Sequence, residues 1–155
     1  MLLAEPVSLR RATPGDGPEL TELFLVSRRS GLPYLPTIHT DAETYAWMQK
    51  TVLCDAEVWI ADRAGTIVGF MAIKPGWVEH LYVHPGAQGE GTGSLLLARA
   101  KEVSPDRLEL WTFQRNTRAR AFYEKRGFHV VEVTDGAANE EREPDVRYSW
   151  RSDRR

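Results

Sequence analysis

Residues 83 to 94 constrain this chain more than any other stretch. They read Val83-His84-Pro85-Gly86-Ala87-Gln88-Gly89-Glu90-Gly91-Thr92-Gly93-Ser94, with four glycines in eight residues. An apolar, β-rich segment (Trp77 to Val83) feeds the run, and an apolar helical pattern (Ser94 to about Val103) leaves it. Glycines let backbone amides approach a ligand with no Cβ in the way. The first turn of a helix adds free N–H groups and the positive end of its dipole. Together these favour a phosphate or pyrophosphate.

Spacing narrows the ligand. The dinucleotide fingerprint G-x-G-x-x-G fails, because a count from Gly89 ends on Ser94 and a count from Gly91 ends on Leu96. A Walker A loop fails as well, since Thr92 stands where its lysine belongs after Gly86 and Gly91. What remains is Q-x-x-G-x-G at Gln88, Gly91 and Gly93. A glycine-rich turn with no ligand is the plain alternative, although such turns seldom need so many glycines.

The rest of the chain supplies a mixed α/β setting. Pro6 to Ala12 alternates as a first strand, and helices are predicted over Pro18–Arg29 and Asp41–Val52, the second capped by Thr40. Residues 57–62 and 66–73 read as a hairpin around Arg63-Ala64-Gly65. After the helix ended by Pro105 come a strand (Arg107–Phe113), a helix (Asn116–Arg126, stopped by Gly127) and two last strands around an acidic loop at 134–144.

The 155 residues suit one domain, 1–155. Twenty Lys and Arg against 22 Asp and Glu leave a net charge of −2, which argues against nucleic acid as partner. The single cysteine, Cys54, excludes an intramolecular disulfide and is expected to be buried. With no signal-like start and no apolar run of about 18 residues, the expectation is a cytoplasmic protein and no membrane partner. His80 and His84 lie four apart on a strand and do not converge, so no metal site is expected.

A second motif accompanies the first. Asn116, Ala119, Phe122, Tyr123, Gly127 and Phe128 form N-x-x-A-x-x-F-Y-x-x-x-G-F on the following helix. Both motifs, in this order, resemble those of the GNAT family of N-acetyltransferases, over roughly residues 7–150. The resemblance implies an α/β fold with a mixed, mostly antiparallel sheet of about seven strands. The sheet would be splayed between strands 4 and 5 and flanked by about four helices. It implies an acyltransferase that uses acetyl-CoA as co-substrate, with no metal; a homodimer is compatible with it.

The resemblance also implies roles. The Val83 N–H would hold the thioester carbonyl, and Leu81 would line the same site. Gln88, Gly89, Glu90, Gly91, Thr92, Gly93 and Ser94 would surround the pyrophosphate. Many relatives carry Arg or Lys where this chain has Gln88 and Glu90, so binding would rest on backbone dipoles, helped by Arg99 or by basic residues of the Asn116 helix. Asn116 would touch the cofactor, cap its helix, or both. Tyr123 would protonate the CoA thiolate; the alternative is ordinary Phe-Tyr packing. Glu79 is the candidate base, placed by strand alternation on the face of Leu81 and Val83. Its alternative is a solvated carboxylate, and His80 points to the other face.

The acceptor is expected to be a small primary amine, attracted by an acidic rim of Glu140, Glu141, Glu143 and Asp145, whose alternative is a simply solvated charged loop, and flanked by Tyr34 and His39 in loop 31–39. A protein or peptide amine is the alternative. A non-catalytic acyl-CoA-binding module would need neither Tyr123 nor Glu79.

Overall fold

The computed structural model describes residues 5–153. Seven strands form one sheet in the order β1-β2-β3-β4-β5-β7-β6. Strands β1 (Val7–Arg11), β2 (Glu57–Arg63), β3 (Thr66–Lys74) and β4 (Trp77–Val83) run as an antiparallel meander. β5 (Arg107–Phe113), β7 (Asp145–Arg151) and β6 (His129–Thr134) form the other half, also antiparallel. The halves meet at β4 and β5, which are parallel and share a single register pair, Trp77 with Glu109. Beyond it the two strands diverge.

Helices cover both faces. α1 (Gly17–Gly31) and α2 (Asp41–Trp47) lie on one face, over a core that includes Leu20, Phe24, Met48, Ile60 and Phe70. α4 (Thr92–Val103) and α5 (Thr117–Lys125) lie on the other, over Met71, Leu96, Leu97, Leu108, Leu110 and Tyr148. β3 serves both cores, which is why its residues 67–73 are apolar or glycine and all buried. Thr40 caps α2 as expected: its Oγ1 accepts from the Glu43 N–H at 3.1 Å, and its own N–H donates to Glu43 at 2.8 Å. The predicted single helix to Val52 is instead α2, a wide π turn over Met48–Val52 and the short α3 (Leu53–Asp55). The extra residue in that turn turns Met48 and Val52 into the core. Among the described residues, no helix is long and apolar enough to cross a membrane.

Two expectations fail here. Cys54 is exposed in α3, although Leu53 and Ala56 on either side of it pack partly against the core. Trp111, whose place in a strand suggests core or site wall, is not core: it is 43% exposed on β5.

Candidate active site

The splay between β4 and β5 frees backbone groups, and the ladder to β3 shows which. Val83 pairs with Gly69, while the next N–H along, that of His84, donates to the Val68 carbonyl at 2.8 Å. That pattern makes Val83–Gly69 a non-hydrogen-bonded pair, so the Val83 N–H and C=O point away from β3, toward the gap. Leu81, paired with Met71 two residues back, has the same parity. The Val83 carbonyl accepts from Gln88 Nε2 at 3.3 Å and from Ser27 Oγ at 3.4 Å. Gln88 therefore fastens the glycine loop to the end of β4.

The loop itself bends through Gly89 and Gly91, at φ +82° and +86°, with open space where a Cβ would stand. Gly91 caps α4, and Thr92, Gly93 and Ser94 form its first turn. A Cβ on Gly93 would press on the Phe122 ring at 3.2 Å, so this glycine also lets α5 approach. Asn116 caps α5 by accepting from the Ala119 N–H at 3.1 Å. Tyr123 is buried, in edge contact with Phe122 and Phe128 at 5.2 and 5.5 Å. Burial, reinforced by the nearby Tyr82 phenol, pushes its pKa well above the ordinary value, so it stays protonated.

The placement of Glu79 corrects the alternation argument. Ala72 faces His80, whereas Ile73 faces Val78, so Glu79 is the extra residue of a β-bulge. Val78 and Leu81, three apart, both belong to the core on the α4–α5 side. Glu79 thereby leaves the face of Leu81 and Val83. It is exposed, with Lys74 Nζ at 3.9 Å, whereas His80 turns to the α1–α2 side. His80 packs against Trp47 and Phe24 at 5.2 and 6.1 Å. Burial, with Arg28 and Lys74 adding, lowers its pKa to about 4, so the imidazole is neutral and weakly basic at neutral pH.

On that side a groove of about 770 Å³ runs between α1, α2 and the 32–39 loop. Leu32, Leu35, Ile38 and Trp47 form apolar walls, and His80 lines it from β4. Of the expected acidic rim, only Glu140 and Glu141 reach the groove, and both are paired: Glu140 with His39, and Glu141 with Arg28 at 3.1 Å. Glu143 turns inward to a bidentate pair with Arg115, 2.7 Å on each arm, and Asp145 accepts from the Thr134 hydroxyl. Tyr34 does not line the groove; it stacks under the Arg115 guanidinium at 3.9 Å. The Arg28–Glu141 and His39–Glu140 links join residues 113 and 101 apart in sequence, which local charge reading does not reveal.

Loop 134–144 depends on one glycine. Gly136 has φ +85°, and a Cβ there would lie 2.4 Å from the Glu143 backbone. Gly136→Ala is expected to cost about 1–3 kcal/mol of local stability and to raise KM for the acceptor. Denaturant melts and acceptor saturation curves check it; unchanged values in both would contradict it.

The family model described as "Acetyltransferase (GNAT) domain" matches residues 54–130, from α3 through the glycine loop to β6. The chain is 35% identical over 140 residues to a "Probable N-acetyltransferase" of Mycobacterium tuberculosis, Rv2775, covering 80% of each chain. It is 28% identical to the peptidyl-lysine N-acetyltransferase YiaC of Escherichia coli, over 80% of this chain and 84% of that one. The crystal structure of the PaiA N-acetyltransferase of Thermoplasma acidophilum, in complex with coenzyme A, superposes with a TM-score of 0.72 at 21% identity, covering 94% of this chain and 99% of that one. With its divergent β4–β5 pair, its glycine loop and its sequence likeness to these relatives, the chain belongs to the GNAT family and is an N-acetyltransferase.

Proposed function

We propose that this protein transfers the acetyl group of acetyl-CoA to the side-chain amine of a lysine in a protein or peptide, by direct attack in a ternary complex. The observation that carries the reading is the groove. Its apolar walls suit the four-methylene stem of lysine, and it reaches β4 on the face opposite the glycine loop. The name of the relative YiaC points to the same acceptor. The small-amine reading loses its main support, because the rim carboxylates are already paired. It keeps one observation in its favour: the Arg28–Glu141 and His39–Glu140 links tie α1 and the 32–39 loop to the 134–144 loop at the groove.

The loop fits the phosphates of the co-substrate, since open Gly89 and Gly91 and the first turn of α4 offer N–H groups without side-chain obstruction. Acetyl-CoA supplies the activated acetyl group. The Val83 N–H would donate to the thioester oxygen, where negative charge gathers as the amine attacks. Alkylamines are mostly protonated at neutral pH, so a proton must leave first. Glu79, taken by the bulge off the face of Leu81 and Val83, would take it through water; His80 is too weak a base and instead walls the groove. Tyr123, protonated and buried, would donate to the departing sulfur as the C–S bond breaks. Asn116 holds the start of α5 and so the aim of Tyr123.

Incubation with acetyl-CoA and, in parallel, lysine peptides and free small amines tests the acceptor. Faster acetylation of peptide lysine is expected. Acetylation of small amines alone would replace the lysine reading with the second one.

A further inference from the structure

The glycine loop carries a carboxylate where an anionic ligand would approach. Glu90 sits between Gly89 and Gly91, just before the positive end of α4. Its charge is met from outside the loop: Arg63, the last residue of β2, donates from Nη2 to Glu90 Oε2 at 2.6 Å. The Nε of the same guanidinium is buried with no hydrogen-bond partner. A guanidinium has five donors in a fork, and one carboxylate oxygen leaves most of that fork unused.

A second arginine meets the first turn of α4. Arg126, at the end of α5, donates to Ser94 Oγ from Nε at 3.2 Å and from Nη2 at 2.6 Å. Its plane stacks on Phe122 at 3.9 Å, and Nη1 donates to the Phe122 carbonyl at 3.0 Å. None of these three bonds goes to a carboxylate. Ser94 belongs to the first turn of α4, so an unneutralised cation faces the positive end of a helix dipole. That placement is offset because Arg126 ends α5, at the negative end of that helix, and an anion beside Ser94 would give the guanidinium a partner of opposite charge. Of the cations expected to help here, Arg99 and the basic residues of the Asn116 helix, Arg99 is otherwise engaged, stacked on Trp59 at 4.2 Å and paired with Glu102.

We propose that Arg63 and Arg126 clamp the phosphates of CoA from the two sides of the loop, and that Glu90 is an exchangeable counter-ion that occupies Arg63 until a phosphate displaces it. The proposal rests on the acetyl-CoA reading above. It accounts for a loop that presents a negative side chain to a negative ligand: the carboxylate keeps Arg63 extended and oriented while the site is free.

Calorimetric titration with CoA, at low and high salt, tests it on the wild type and on E90Q, R63Q, R126Q and R126K. R63Q and R126Q should each weaken CoA binding about tenfold, the loss expected for one charge-assisted hydrogen-bond set. KM for acetyl-CoA should rise in proportion and the salt dependence should shrink. R126K should fall between R126Q and the wild type. E90Q should bind CoA about threefold or more tighter, a gain that misfolding cannot mimic. Wild-type affinity in both R63Q and R126Q, or weaker binding by E90Q, would overturn the clamp while leaving the acetyl-CoA reading standing. A wild-type protein that does not bind CoA would overturn both.

Discussion

Val83→Pro is expected to lower kcat by about 10²–10³-fold, the range for loss of one oxyanion donor. Proline removes the backbone N–H and little else at this position. The Val83 N–H takes no part in the ladder to β3, as the His84-to-Val68 bond shows, and β5 has already diverged. Toward the gap, β4 is in effect an edge strand, where proline is tolerated. The preceding residue, Tyr82, is already extended, as a residue before proline prefers to be. Far-UV circular dichroism should therefore match the wild type while turnover collapses. A proline variant with near-normal turnover would remove the Val83 amide from the chemistry.

The β4 strand also marks how far the sequence can be read. The glycine run, the Asn116–Phe128 motif and the alternation of β-rich and helical segments placed all seven strands and the four main helices within a few residues. These features are local: periodicity, caps at Thr40 and Asn116, and glycines at turns. The face of Glu79 was not legible, because a bulge is a property of the β3–β4 pairing and leaves no trace in the pattern of β4 alone. From the sequence, Arg63 is a turn residue, and Arg126 is only one of several basic residues on the Asn116 helix. Their partners, Glu90 and Ser94, lie 27 and 32 residues away in sequence, so only the fold shows that both arginines converge on one loop. The acidic stretch 140–145 was visible as charge, but its pairing with Arg28, His39 and Arg115 was not.

Tyr123→Phe is the second change with a large expected effect, a fall in turnover of about 10²-fold with CoA binding retained. The ring makes its edge contacts with Phe122 and Phe128 through its faces and edges, which phenylalanine keeps, so packing is preserved. Only the hydroxyl is lost, and with it the donor to the leaving sulfur. The raised pKa fixes the sign of the pH dependence. A phenol held protonated beyond its ordinary range remains a donor throughout neutral and moderately alkaline pH. The wild-type rate profile should therefore show no descending limb from Tyr123 up to about pH 10, where an unperturbed tyrosine would ionise. Wild-type turnover by Tyr123→Phe would assign the residue to packing alone.

The central claim is that the activated acetyl group and the phosphates lie along one line, from the gap at Val83 to the first turn of α4. Titration of ¹⁵N-labelled protein with acetyl-CoA, followed by its amide resonances, tests that line directly. The account predicts saturable shifts, with one common dissociation constant, at Leu81, Val83, Gly89, Gly91 and Gly93. Shifts confined to the α1–α2 groove, with these five amides unmoved, would contradict it.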